Sequence, residues 1–404
     1  MPQKYFFGTR HFYLAEEWVR NGHQVTIFTS NWNHLTDKLP QFDGSVMIES
    51  INDVETVWFK GFKTKSSSSV GRILSWIEFE WRMLLEGTRR SQIEQPDVVI
   101  VSSLSLFSVL SGLFFSRKHG ARFLLEIRDI WPLTAMQLGG YSPRHPFMLL
   151  MGWIEKLGYK NADAIIGTMP NLEEHIRNVC PDAAKVVNVP QGVTRNFLNE
   201  FNPMDAGLKE KLFPENSPMF RVVYAGGMNV GNPVQVLLDA AVLLGENSGV
   251  EVVMLGKGSD VNRLKAKYQE YPNIKFVDQI PKNQVRDFLQ HCDLCFDSIG
   301  GDIARYGHSR NKWMDYLASA RPIVCATSGF RSILEEAECG EHIDFDDVAK
   351  LAHTILKYKE MDPSTRLEIG LNGRRYLEKN RTFDKLAAVY ETLFAETHQQ
   401  SNPH

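Results

Sequence analysis

Short runs of β-branched and apolar residues alternate with stretches of helical period along most of the 404-residue chain. Segments 24–30 (QVTIFTS), 97–103 (DVVIVSS), 121–127 (ARFLLEI), 163–168 (DAIIGT) and 185–190 (KVVNVP) read as strands. Each is followed by a Gly or polar loop and then an amphipathic stretch, and such alternation means βαβ units and a parallel sheet. Segment 191–220 is rich in Pro and Asn and has no strand signal, which marks a junction. The rhythm then restarts with 221–227, a helix over 232–244, and strands at 250–258, 273–280, 293–299 and 321–327. The pattern predicts an α/β chain of two Rossmann-like domains whose parallel sheets face each other across a cleft. The expected divisions are 1–190, a linker over 191–220, 221–380, and a closing helix with a loose tail over 381–404.

Two segments sit apart from this rhythm. The first helix, about 9–21, is preceded only by the loop FFGTR, whereas a doubly wound sheet opens with a strand feeding that loop. The N-terminal domain is therefore expected to be one strand short, or to start upstream. The helix expected over 66–90 carries Ile73, Trp76, Ile77, Trp81 and Leu84 with basic residues at both ends. That composition suits either core packing or a membrane interface.

A chain of 404 residues exceeds what one core usually holds, in line with two domains. With 45 Lys+Arg against 48 Asp+Glu there is no global electrostatic footprint for nucleic acid. No apolar run reaches the roughly 20 residues of a membrane span, and the N-terminus has no signal-peptide core, so a cytoplasmic location is expected. The five cysteines are odd in number and sit mostly in apolar contexts, as reduced core thiols do.

Against the even global charge, Arg305, His308, Arg310 and Lys312 fall within eight positions at the mouth of a buried element. In open α/β sheets the ligand lies beyond the carboxyl ends of the strands, where helix N-termini present free N–H groups. Arg305 and Lys312 there suit a diphosphate, with Ser309 expected to cap the helix. Asp315, one turn beyond Asn311 and Lys312, is placed to accept hydrogen bonds from ribose hydroxyls. Gly226 and Gly227 follow a strand and let backbone amides approach a phosphate, though without the spaced G-x-G-x-x-G of nicotinamide enzymes. Lys257, between two glycines, ends another strand and is either a donor contact or a solvated turn lysine. In the first domain, Arg128 and Asp129 close a buried strand and His11 begins the first helix. All three are candidate catalytic groups, with a structural Arg–Asp pair and a structural His as the competing readings. Gly8, in the loop before that helix, is a donor-side candidate.

Taken together, GTRHFYLAEEWVRNGHQVTIFTS, IRDIWP, VPQGV, YAGGMNVGNPVQVLLDAA and HSRNKWMDYLASARPIV resemble bacterial glycosyltransferase family 4, over about residues 4–395. Within it they look like the branch acting on lipid-linked sugars in O-antigen, lipopolysaccharide and capsule assembly, such as N-acetylfucosamine transferases. The resemblance implies a GT-B fold and a UDP-sugar donor bound mainly by the C-terminal domain. It further implies a polyprenyl-diphosphate-linked saccharide acceptor at the cytoplasmic face of the inner membrane, and transfer with retention, without cofactor or metal. A last helix that crosses back to the N-terminal domain is also implied. Asp315 stands at the second Glu of the family's paired-glutamate motif, the ribose ligand, while Gly307 stands at the first. The loop over 226–232 lacks the Arg and Lys of many members, which shifts the diphosphate clamp to Arg305 and Lys312. The absence of an Asp-x-Asp cluster agrees with a metal-free reaction. A nucleotide-sugar 2-epimerase of the same fold and an inactive nucleotide-sugar-binding subunit are the rival readings.

Overall fold

The computed structural model describes residues 10–32, 39–61, 69–87, 95–103, 105–200, 202–215, 217–229, 231–331 and 333–396. The N-terminal half runs α1 (Arg10–Arg20), β1 (Thr26–Ser30), β2 (Val46–Ile51), β3 (Val54–Phe59), α2 (Ser69–Arg82) and a π turn (Met83–Gly87). It continues with β4 (Val98–Ser102), α3 (Ser108–His119), β5 (Arg122–Ile127), α4 (Leu133–Gly139), α5 (Pro146–Asn161), β6 (Ala164–Gly167), α6 (Leu172–Val179) and β7 (Val186–Asn188). Strands β4-β5-β6-β7 form one parallel sheet and β1-β3-β2 a second. Among the described residues these two sheets share no ladder, and residues 1–9, the loop before the first helix on which the missing-strand expectation rests, lie outside the described residues. The antiparallel β2–β3 hairpin is a departure from the all-parallel expectation. Its turn is Asn52-Asp53 with φ of 51° and 61°, the pair of left-handed residues that a tight hairpin needs, and that dipeptide was its sequence signal.

Two short helices, α7 (Arg195–Asn199) and α8 (Ala206–Leu212), lead into the second half. There β8 (Phe220–Ala225), α9 (Gln235–Leu244), β9 (Val250–Leu255), α10 (Val261–Tyr268), β10 (Ile274–Val277), α11 (Val285–Gln290) and β11 (Leu294–Ile299) follow in turn. A 3-10 turn (Asp302–Tyr306), α12 (Asn311–Ala318), β12 (Ile323–Thr327), α13 (Leu334–Ala337) and β13 (Gly340–Ile343) complete the sheet. The six strands are parallel in the order β10-β9-β8-β11-β12-β13. Helices on both faces bury β8, β11 and β12 completely, which is why those strands read as mostly apolar runs, interrupted at Arg221 and at Asp297–Ser298.

The chain closes with α14 (Val348–Glu360), α15 (Pro363–Asn380) and α16 (Phe383–Ala395). The last two helices are separated by a break at Arg381–Thr382. At the break Val193 N donates to Arg381 O (2.9 Å) and Phe383 N to Val193 O (2.9 Å), tying the two connections between halves together. Gly192 is required there, since a Cβ would lie 2.6 Å from Arg381 O. Helix α16 packs on α1: Tyr390 and Leu393 join Phe12, Leu14 and Ile166 in one core, and Trp18 Nε1 donates to Ala387 O (3.3 Å).

Candidate active site

The strand order reverses between β8 and β11, and in an open α/β sheet the ligand crevice opens at that point. These two strands pair over only two residues, Leu294 with Val222 and Cys295 with Val223. Beyond them they splay, and Tyr316 from α12 fills the gap. Its hydroxyl accepts from Ala225 N (2.8 Å) and donates to Phe296 O (3.0 Å).

The next residue of β11, Asp297, is fully buried and gathers the cluster. Lys312 Nζ donates to its Oδ1 at 3.0 Å, Arg310 to the same oxygen at 3.2 Å, and Trp313 Nε1 to Oδ2 at 2.8 Å. Burial opposes ionisation of Asp297, but Lys312, Arg310 and His308 outweigh it and hold the carboxyl below the usual range. Burial likewise lowers the pKa of Lys312, and Asp297 works against that loss. Lys312 also donates to the Tyr224 hydroxyl (2.8 Å), which donates to Gly227 O (2.7 Å). A Cβ on Gly226 would stand 3.1 Å from Lys312 Nζ, so the glycine lets the ammonium lie against the loop backbone. Arg310 also holds that loop, donating to Asn232 Oδ1 (2.8 Å) and Gly231 O (3.1 Å).

The turns after β8 and β9 are bonded to each other. Met228 N donates to Lys257 O (3.0 Å), and Asp260 N donates to Met228 O (3.1 Å). Gly256 and Gly258 permit this, because a Cβ on either would fall within 2.1 Å of a carbonyl of the facing loop. Lys257 itself projects into solvent. Asn311 opens α12 and is exposed, whereas Asp315 is buried. One oxygen of Asp315 pairs with Lys282, while Oδ1 is buried without a partner. Burial raises the Asp315 carboxyl, with Lys282 and Arg286 pulling the other way.

Two expectations for the basic stretch are corrected, those for Arg305 and Ser309. Arg305 does not join Lys312 at Asp297; its guanidinium pairs with Glu174 on α6 of the other half, and Arg310 is the second cation of the cluster. Ser309 does not cap α12, whose cap residue is Arg310; the Ser309 hydroxyl accepts from Gln191 N (2.6 Å). Gly307 has φ 75° and ψ −168°, a conformation essentially confined to glycine, and a Cβ there would meet Pro170 at 2.5 Å. With Asn171 N donating to Tyr306 O (3.0 Å), segment 302–309 bridges to the N-terminal half.

In that half His11 Nε2 lies 2.8 Å from Glu126 Oε2 at the end of β5. The other oxygen of Glu126 accepts from Arg10 Nε (2.7 Å), and Arg10 also donates to Val189 O (2.7 Å) and the Tyr390 hydroxyl (3.2 Å). Glu126 is fully buried; burial opposes its ionisation, yet His11, Arg10 and Arg128 together hold it ionised. Arg128 is half-buried and Asp129 exposed just beyond the strand, while Gly8 lies outside the described residues. Sequence reasoning did not assign roles to Asp297, Arg310 and Glu126. The signal was present, since a carboxylate inside an apolar strand such as LCFDSI or RFLLEI demands a buried cation. Among the described residues no three His, Cys, Asp or Glu side chains converge as a metal-ligand set.

Residues 8–192 match the Glycosyl transferase 4-like domain, and residues 220–360 match the Glycosyl transferases group 1 domain. The chain is a glycosyltransferase of GT-B fold. No curated protein matches this glycosyltransferase significantly in sequence. Its fold is similar to sucrose-phosphate synthase from Thermosynechococcus elongatus, with TM-score 0.73, 17% identity, and 96% of this chain and 94% of that one covered. It is similar to WaaG, a glycosyltransferase involved in lipopolysaccharide biosynthesis, with TM-score 0.63, 12% identity and 96% and 95% covered. HepE from Anabaena, solved in complex with UDP and glucose, gives TM-score 0.61, 14% identity and 85% and 87% covered.

Proposed function

We propose that this glycosyltransferase moves a sugar, with retention and without a divalent metal, from a UDP-sugar to a polyprenyl-diphosphate-linked saccharide in O-antigen or capsule assembly. The observation that carries the donor side is Lys312, an ammonium held by Asp297 against the Gly226 backbone at the mouth of the β8–β11 crevice. A sugar leaves a nucleoside diphosphate through an oxocarbenium-like state while negative charge grows on the diphosphate. Lys312, Arg310 and the first N–H groups of α12 stabilise that charge without rearranging. Gly226 and Gly227 admit the phosphates, Lys257 and Asn311 flank them, and the unpartnered Oδ1 of Asp315 accepts from a ribose hydroxyl. Across the cleft His11, oriented by Glu126, faces the sugar together with Arg128 and Asp129.

The UDP assignment draws support from HepE, solved with UDP and glucose, and a part in surface-polysaccharide assembly from WaaG, which is involved in lipopolysaccharide biosynthesis; the polyprenyl-linked acceptor rests on the sequence resemblance. The deciding experiment is calorimetric binding of UDP, GDP and a panel of their sugars, with and without magnesium. Saturable, magnesium-independent binding of UDP and one UDP-sugar is expected. Binding that requires the metal removes the metal-free reading, and breakdown of the donor at an undiminished rate without any acceptor replaces transfer by epimerisation.

A further inference from the structure

Nine of the thirteen large hydrophobic side chains exposed among the described residues lie on three neighbouring helical segments of the N-terminal half. Scattered exposed leucines need no explanation, but such clustering does. Helix α2 with its π turn is inverted relative to a water-facing helix. It buries the Glu80 carboxylate against Ser108 and Ser111 of α3 while exposing Leu74, Ile77 and Trp81, the last at 63%.

Helices α3 and α5 share a second pattern. Along α3 the exposed Leu110 and Phe114 precede the exposed Arg117 and Lys118, and along α5 the exposed Leu149, Leu150 and Trp153 precede Lys156 and Lys160. The two helices are successive crossovers of one parallel sheet and run the same way, so the apolar ends align and the basic ends align. No acidic side chain is exposed on either: α3 has none, and the single one of α5, Glu155, is buried against Tyr159 and His175. A groove between them has walls of Leu110, Phe114 and Leu157 and a cationic end of Arg117 and Lys118. The apolar ends begin at the carboxyl ends of β4 and β5, the edge that carries Arg128 and Asp129.

We propose that α2, α3 and α5 seat the N-terminal half on an anionic bilayer, with the apolar ends in the acyl boundary beside the cleft and the four basic side chains on lipid phosphates. Charge complementarity selects this occupant: the exposed charges of α3 and α5 are all cationic and the half-exposed Glu78 of α2 is paired with Arg82, so the face fits an anionic lipid surface and repels a second copy of itself. The purpose of the surface rests on the lipid-linked acceptor proposed above, but its existence is testable without turnover.

The test is co-sedimentation of the full chain with phosphatidylcholine vesicles with and without phosphatidylglycerol, alongside UDP calorimetry on the same preparation. Binding is expected only with phosphatidylglycerol. It should fall about tenfold in Leu149→Ser/Trp153→Ser, and separately in Lys118→Glu/Lys156→Glu, with UDP affinity unchanged. No sedimentation, or sedimentation untouched by both variants, overturns the proposal, as does a lipid-free dimer that Leu149→Ser/Trp153→Ser dissociates. Loss of UDP binding with vesicle binding intact counts against the transferase reading alone.

Discussion

Lys312 Nζ rests 3.0 Å from Asp297 Oδ1, joining the first turn of α12 to the middle of the buried strand β11. The pair converts an otherwise costly buried carboxylate into the anchor for two cations at the carboxyl end of the sheet. Removing each partner therefore has a different consequence. Lys312→Ala leaves Asp297 paired with Arg310, so donor affinity is expected to fall by about 1.5–3 kcal/mol, measured by calorimetry, with a modest change in stability. Asp297→Ala strands both cations and is expected to cost about 3–5 kcal/mol of folding stability, measured by urea denaturation.

Asp315 carries a buried oxygen that no protein group satisfies. Asp315→Asn keeps the shape but loses the charge facing Lys282, and is expected to weaken UDP by about 1–3 kcal/mol while leaving inorganic diphosphate binding unchanged. Equal losses for both ligands would place Asp315 on the diphosphate instead of the ribose.

The backbone at Gly307 has dihedrals that a side chain, such as the glutamate the resemblance puts at this position, tolerates poorly. Gly307→Ala is expected to destabilise by about 1–3 kcal/mol from its dihedrals alone, measured by thermal unfolding. Adding Pro170→Ala relieves the contact but not the dihedral strain, so only part of the loss should return.

His308 gives the site a defined acid sensitivity. Burial, reinforced by Arg310, pushes its pKa down to about 3, and its ring sits 4.5 Å from that of Trp313. The unfolded chain takes up this proton near pH 6.5, so below that pH it binds more protons than the native state, and stability falls as pH drops. Between pH 7 and pH 5 the loss from this residue is about 2 kcal/mol. Denaturation of His308→Gln should show a correspondingly flatter dependence over that interval.

Alternation of apolar strands with helical periods was enough to determine two α/β halves and the ends of the strands where a ligand gathers, because period and strand direction are local properties. Gly226 was legible in the same way, as the residue just past a strand, and Lys312 and Asp315 as residues of the first two turns of the helix after β11. What a side chain pairs with is not local. Arg305 and Lys312 are seven positions apart and look equivalent in the sequence, yet one reaches Glu174 in the other half and the other reaches Asp297 beneath it. The same holds for Arg10, whose partners lie on β5, the connection at Val189 and the final helix. Only packing brings those distant segments together, and a buried charge takes whichever opposite charge packing puts within reach.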